Sequence, residues 1–126
     1  MSGKHRRGFT LIELLVVMAI IATLLSVVVP RYFHTLQHSR EAVLKHDLGV
    51  LREAIDKYRG DVGKYPESLD DLVQHRYIRA VPEDPITRSA TTWQPVASED
   101  PDDPGLRDVF SGAEGAASDG TTYRDW

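Results

Sequence analysis

No cysteine occurs among the 126 residues. That excludes disulfides, thiolate metal sites and a cysteine nucleophile. Basic charge is not in excess either, since 15 Lys and Arg face 19 Asp and Glu, for a net charge of −4 and a pI near 5.7. A nucleic-acid binder would normally carry a basic patch or stripe, so that class is set aside. There is no His-Glu-x-x-His pattern, and Gly112 and Gly115 do not sit in a phosphate-cradling strand, loop and helix. No serine, histidine and acid set suggests a nucleophile, and nothing marks an enzyme. Proline is scarce in the first half, where Pro30 is the sole example before Pro66. Charge is nearly absent from Phe9 to Val29, which holds Glu13 and no other ionisable group.

That apolar run of 21 residues is the dominant feature present. At about 1.5 Å per residue it makes a helix roughly 31 Å long, enough to cross the hydrocarbon core of a bilayer. Before it, Met1 to Gly8 carries Lys4, His5, Arg6 and Arg7 and no acid. Basic residues beside a span stay cytoplasmic, which places the N-terminus inside and everything after Val29 outside or in a periplasm. A cleaved secretory signal is the rival reading. It would need a shorter apolar core and a small-residue cleavage site, whereas Pro30-Arg31-Tyr32 follows this one.

Beyond Pro30, Leu44, Leu48, Leu51, Ile55 and Tyr58 recur at spacings of four and three, which is one face of a helix. Arg40, Glu41, Lys45, Asp47, Arg52, Glu53, Asp56 and Lys57 fill its other faces. A proline inside a helix usually kinks it, so the pattern predicts one long bent helix, terminated by Gly60, Gly63 and Pro66. A short helix is expected over Glu67 to His75. Candidate strands are Tyr77 to Val81 and Thr91 to Val96, separated by a turn at Pro82-Glu83-Asp84-Pro85. Leu106 to Phe110 and Thr121 to Tyr123 read as a last strand pair around the glycine-rich Ser111 to Gly120. The four segments are thus 1–8, a cytoplasmic leader; 9–29, an apolar helix; 30–59, its amphipathic continuation; and 60–126, a small globular region.

Glu13 is the residue that needs an explanation. A carboxylate in an apolar span is costly when ionised, so it either snorkels to the interface or finds a cation. It does not stand alone, however. Gly8 followed by Phe9, glutamate five positions after Gly8, the basic leader and Pro30 together resemble the signal of type IV pilins, which the pseudopilins of type II secretion systems share. The resemblance implies cleavage between Gly8 and Phe9 by a membrane prepilin peptidase, followed by N-methylation of Phe9. Loss of three positive side chains (Lys4, Arg6 and Arg7) would take the side-chain charge from −4 to −7. It also implies that Glu13 pairs with the Phe9 amine of a neighbouring subunit in a helical filament, a homo-oligomer joined by other pseudopilins. An inner-membrane platform and its ATPase would add each subunit, and the filament would drive protein export through the outer membrane.

Leu51 to Tyr58, Asp61-Val62-Gly63-Lys64-Tyr65-Pro66, Leu69, Leu72, Val73 and Val81-Pro82-Glu83-Asp84-Pro85 are similar to the major, or G-type, pseudopilin. The likeness weakens after Pro85. Where that family has Asp-Pro-Trp-Gly-Asn-Pro, this chain has Asp84-Pro85-Ile86-Thr87-Arg88-Ser89-Ala90. A minor or pilus-forming type IV pilin stays open for that reason, as does a membrane-tethered periplasmic binding module that never polymerises. Small domains without disulfides often lean on a metal. G-type pseudopilins bind calcium in the C-terminal loop, and the positions that match best are Asp119, Ser111, the carbonyl of Val109 or Phe110, and Asp108. Glu114 and Asp125 add hard oxygens nearby, a set that suits calcium better than zinc. The competing reading is a solvated acidic turn. His34 and His38 lie four apart on the helix but have no third ligand in view. The expected fold is α+β and pilin-like: a long bent N-terminal helix with a small antiparallel sheet packed on its C-terminal half.

Overall fold

The computed structural model describes residues 8–126, so the leader residues Met1 to Arg7 lie outside the described residues. The chain divides into two compact units, Met1–Leu36 and Gln37–Trp126. One helix, α1 (Leu11–Val62), starts in the first and ends in the second, with Pro30 inside it. Proline removes one intrahelical hydrogen bond, that to the Ser26 carbonyl, and the helix continues past it. The remaining elements are a short helix α2 (Leu69–Gln74), strands β1 (Gln94–Ala97) and β2 (Leu106–Phe110), and a 3-10 turn at Tyr123–Asp125. This is the α+β architecture expected from the sequence.

In the first unit the apolar side chains from Leu11 to Val29 are exposed, and this part of α1 is long and apolar enough to cross a membrane. Its hydroxyls are satisfied locally. Thr23 Oγ1 donates to the Ala19 carbonyl at 2.8 Å and Ser26 Oγ to the Thr23 carbonyl at 2.6 Å. Such back-bonding removes the penalty of a free hydroxyl in an apolar medium.

In the second unit the expected helix face is the core: Leu44, Leu48, Leu51, Ile55 and Tyr58 are buried, joined by Ala54. They pack with Leu72, Trp93, Leu106, Val109, Ala113, Ala117 and Tyr123. The helix runs through Gly60 and ends at Val62, three residues past the expected Arg59. Gly63, at φ 84°, supplies the left-handed residue after the last turn, and its N–H bonds the Arg59 carbonyl at 2.9 Å.

The sheet is antiparallel, with Gln94 opposite Phe110, Pro95 opposite Val109 and Val96 opposite Asp108. Ala97 then pairs with Leu106, so Arg107 is an extra residue in β2. Leu106 and Val109 are three apart and would face opposite sides of a regular strand. The bulge turns both into the core, where they are 3% and 0% exposed.

Three sequence-based expectations are corrected. β2 pairs with β1 and not with Thr121 to Tyr123, where Thr122 makes a single bridge to Ala116 and Tyr123 enters the 3-10 turn. Tyr77 to Val81 is not a strand. Arg76 takes φ 63°, and the N–H groups of Tyr77 and Ile78 both return to the Leu72 carbonyl, so the segment folds onto α2 and has no ladder to join. The turn expected at Pro82 to Pro85 lies instead at Asp84 to Ser89, closed by Asp84 N–H to the Ser89 carbonyl at 3.0 Å.

Candidate functional site: the helix start and the C-terminal loop

Gly8 and Phe9 precede α1, and Phe9 is 87% exposed. A Cβ built on Gly8 would meet no atom within 4 Å among the described residues, so none of them requires glycine there. Thr10 caps the helix: its Oγ1 accepts the Glu13 N–H at 3.1 Å, and its carbonyl accepts the Leu14 N–H at 3.2 Å. Thr10-x-x-Glu13 is the capping-box spacing, and it places the Glu13 carboxylate in the first turn, at the positive end of the helix dipole. Glu13 therefore has a local role in the first turn of α1. Pro30 lies further along α1.

The residues expected to hold calcium are placed with other partners. Asp108 Oδ1 accepts from Arg52 Nε at 2.9 Å and from the Val109 N–H at 2.7 Å, and the Val109 carbonyl accepts from Arg52 Nη2 at 3.1 Å. Ser111 is fully buried. Its hydroxyl donates to Asp84 Oδ2 at 2.5 Å and accepts the Ala113 N–H at 3.0 Å. Asp119 accepts from the Thr121 hydroxyl and N–H and faces Lys45 at 4.0 Å. Those Thr121 hydrogen bonds, aided by Lys45, hold its carboxyl below the ordinary aspartate value. Asp108, Val109, Ser111 and Asp119 thus each have hydrogen-bond partners within the chain. Among the described residues, no group of three or more His, Cys, Asp or Glu is arranged to hold a metal.

Two buried carboxylates went unrecognised in the sequence. Asp84 is 0% exposed and ties the turn after it to the C-terminal loop, accepting the Ile86 and Thr87 N–H groups besides Ser111. Glu41 looked like a surface residue of α1, yet it is buried and accepts from the Ser118 hydroxyl and N–H and from the Tyr123 hydroxyl. Gln37 donates to the same tyrosine at 2.7 Å. Burial pushes the Glu41 carboxyl up, but the hydrogen bonds from Ser118, Tyr123 and Gln37 outweigh it and hold it below the ordinary value.

An unfolded glutamate titrates near about 4.3, and the folded value lies lower. Glu41 therefore stabilises the fold fully above the unfolded value and loses this contribution as pH falls through the folded one. Glu41→Gln is expected to melt below the parent chain at neutral pH. The gap should narrow as acid protonates Glu41 in the parent, a trend that thermal midpoints measured against pH will reveal.

Residues 3–29 match the family described as "Prokaryotic N-terminal methylation motif". The chain is 29% identical over 144 residues to the type II secretion system core protein G of Aeromonas hydrophila, covering all of this chain and 96% of that protein. The core protein G of Vibrio cholerae is 29% identical over 142 residues, covering 98% and 93%. That of Pectobacterium carotovorum subsp. carotovorum is 32% identical over 126 residues, covering 87% of this chain and 77% of the relative. The chain belongs to the type II secretion system core protein G family. No solved structure matches it at a significant level. As a core protein G it is a pseudopilin, a structural subunit of the pseudopilus, and its family is not one of known enzymes. The apolar start of α1 and the methylation motif fit a single-pass inner-membrane anchor for such a pseudopilin.

Proposed function

We propose that the chain is inserted in the inner membrane with its N-terminus cytoplasmic, cut between Gly8 and Phe9 by prepilin peptidase, and methylated on Phe9. It then polymerises into a periplasmic filament with other pseudopilins, driven by an inner-membrane platform and its ATPase, and the filament pushes folded proteins through the outer membrane. One observation carries this reading: the apolar surface from Leu11 to Val29 is exposed and holds a single carboxylate, Glu13, at its start. Each apolar side chain moved from water into a packed bundle contributes about 1.5–3 kcal/mol, and a bilayer or a bundle of identical helices provides that surrounding equally well. Helices withdrawn from lipid can therefore re-bury the same surface against one another. Glu13 sets the register, because its charge is tolerated only beside a cation.

The test is direct. Mature protein from intact cells should begin at methylated Phe9 by mass spectrometry, and replacing Gly8 with a bulky residue should leave the full leader in place. Since Gly8 has open space around it, that substitution should not disturb the fold. A mature chain still beginning at Met1 would point to a tethered module that does not polymerise.

A further inference from the structure

Lys45, Arg52 and Arg59 are spaced by seven residues along α1 and so share one face of the helix. Each meets a carboxylate and an aromatic ring of the later chain. Lys45 lies 4.0 Å from Asp119 and 4.5 Å from the Trp126 ring centre. Arg52 lies 2.9 Å from Asp108 and 5.4 Å from the Phe110 ring. Arg59 lies 2.5 Å from Asp103 and 4.7 Å from the Tyr65 ring. The carboxylates run in reverse order to the cations, so the C-terminal region is laid antiparallel along α1.

The three rungs are unequal. Lys45 and Asp119 are both half-exposed or more, where water and salt leave an ion pair worth little. Arg52 and Asp108 are two-thirds covered. Arg52 also gathers more than a carboxylate. Its fork donates to Asp108 Oδ1, to the Val109 carbonyl at 3.1 Å and to the Trp126 main-chain oxygen at 2.6 Å. Three oxygens from β2 and from the last residue thus converge on one cation, while the Phe110 ring covers its face. Two of them, Asp108 and the Val109 carbonyl, are atoms that the family resemblance assigns to calcium.

We infer that Arg52 takes the place of a divalent cation in this oxygen cluster, so that the C-terminal region is fastened to α1 by the chain's own guanidinium and folds without calcium. A planar fork with five donors can serve several oxygens at once. A calcium ion would ask for six to eight oxygens at about 2.3–2.6 Å, which acceptors already turned toward guanidinium nitrogens do not offer. The remaining expected ligands follow the same logic, since Ser111 is taken by Asp84 and Asp119 by Thr121.

The full-length chain in detergent micelles provides the test, through its thermal midpoint in EDTA and in millimolar calcium. The parent should melt at the same temperature in both. Arg52→Gln should melt about 5–10 °C lower, the scale expected for losing several charge-assisted hydrogen bonds in a small domain. Arg52→Lys should recover part of that loss, because it restores the charge without the fork. A parent midpoint that rises with calcium, or an Arg52→Gln midpoint equal to the parent's, would overturn the inference. Should Arg52→Gln fail to fold, the parent comparison and Arg52→Lys still decide it.

Discussion

Glu13→Ala should yield a chain that is cut and methylated normally but no longer accumulates in filaments. The proposed cleavage is at the bond between Gly8 and Phe9, which the substitution leaves untouched, so the mature mass should equal that of the parent less the side-chain difference. Assembly depends on what the carboxylate meets in an apolar bundle. Removing one partner of a desolvated ion pair strands the other and costs about 3–5 kcal/mol. That is a factor of roughly 100 to 4,000 in each subunit contact, enough to abolish a polymer held together by repeats of the same contact. The capping role observed at Thr10 is smaller. A carboxylate in the first turn contributes about 0.3–1 kcal/mol to the helix. Glu13→Gln separates the two effects, since it keeps the size and removes the charge. Filament yield after shearing or cross-linking is the measurement, and a yield within twofold of the parent for both variants would reduce Glu13 to a helix cap.

Gly112→Ala should unfold or severely weaken the C-terminal unit. A Cβ at this position would lie 2.0 Å from the Thr92 carbonyl oxygen, 3.0 Å from its carbonyl carbon and 3.1 Å from its Cβ. These are mostly backbone atoms at the entrance to β1, so no flexible side chain can swing aside. Relief requires moving Thr92 away from the 111–113 segment. That segment is anchored on either side by buried Ser111 and Ala113, with Ser111 held by Asp84. Overpacking of this kind costs about 1–3 kcal/mol when the surroundings adjust and more when they cannot. Here the larger figure applies, and a fall in the thermal midpoint of well over 10 °C is expected for a unit of this size. Gly49→Ala is the internal control. Gly49 is exposed in the middle of α1 with open space around it, and alanine there should stabilise by about 0.5–1 kcal/mol. Equal midpoints for the two variants would show that the close approach of Thr92 and Gly112 is not maintained.

Much of this was legible because periodicity is a local property. The helix face Leu44, Leu48, Leu51, Ile55 and Tyr58 could be read from its spacing alone, and it is the buried face. β2 could be read from Leu106 to Phe110, although its partner could not. Pairing depends on which distant segment meets the strand, and the bulge at Arg107 disguises the inward positions as a spacing of three. Charged residues were the least legible. On spacing, Glu41, Arg52 and Asp108 resemble any solvated surface residues, and nothing near them in sequence announces the partners they meet 56 to 82 positions away. Ser111 offered the right chemistry for a cation and is used by a carboxylate instead.

By itself, then, the sequence determined the N-terminal half of this protein's behaviour. An unbroken apolar run with one carboxylate, a basic leader and a Gly8-Phe9 junction is information carried by consecutive residues, and no folding is needed to display it. Only the tertiary structure decided how the C-terminal region is fastened. Hydrogen-bonding oxygens can be satisfied by a metal, by water or by a side chain far away in sequence. The choice falls to whichever donor the packed core brings within reach, and here α1 brings Arg52.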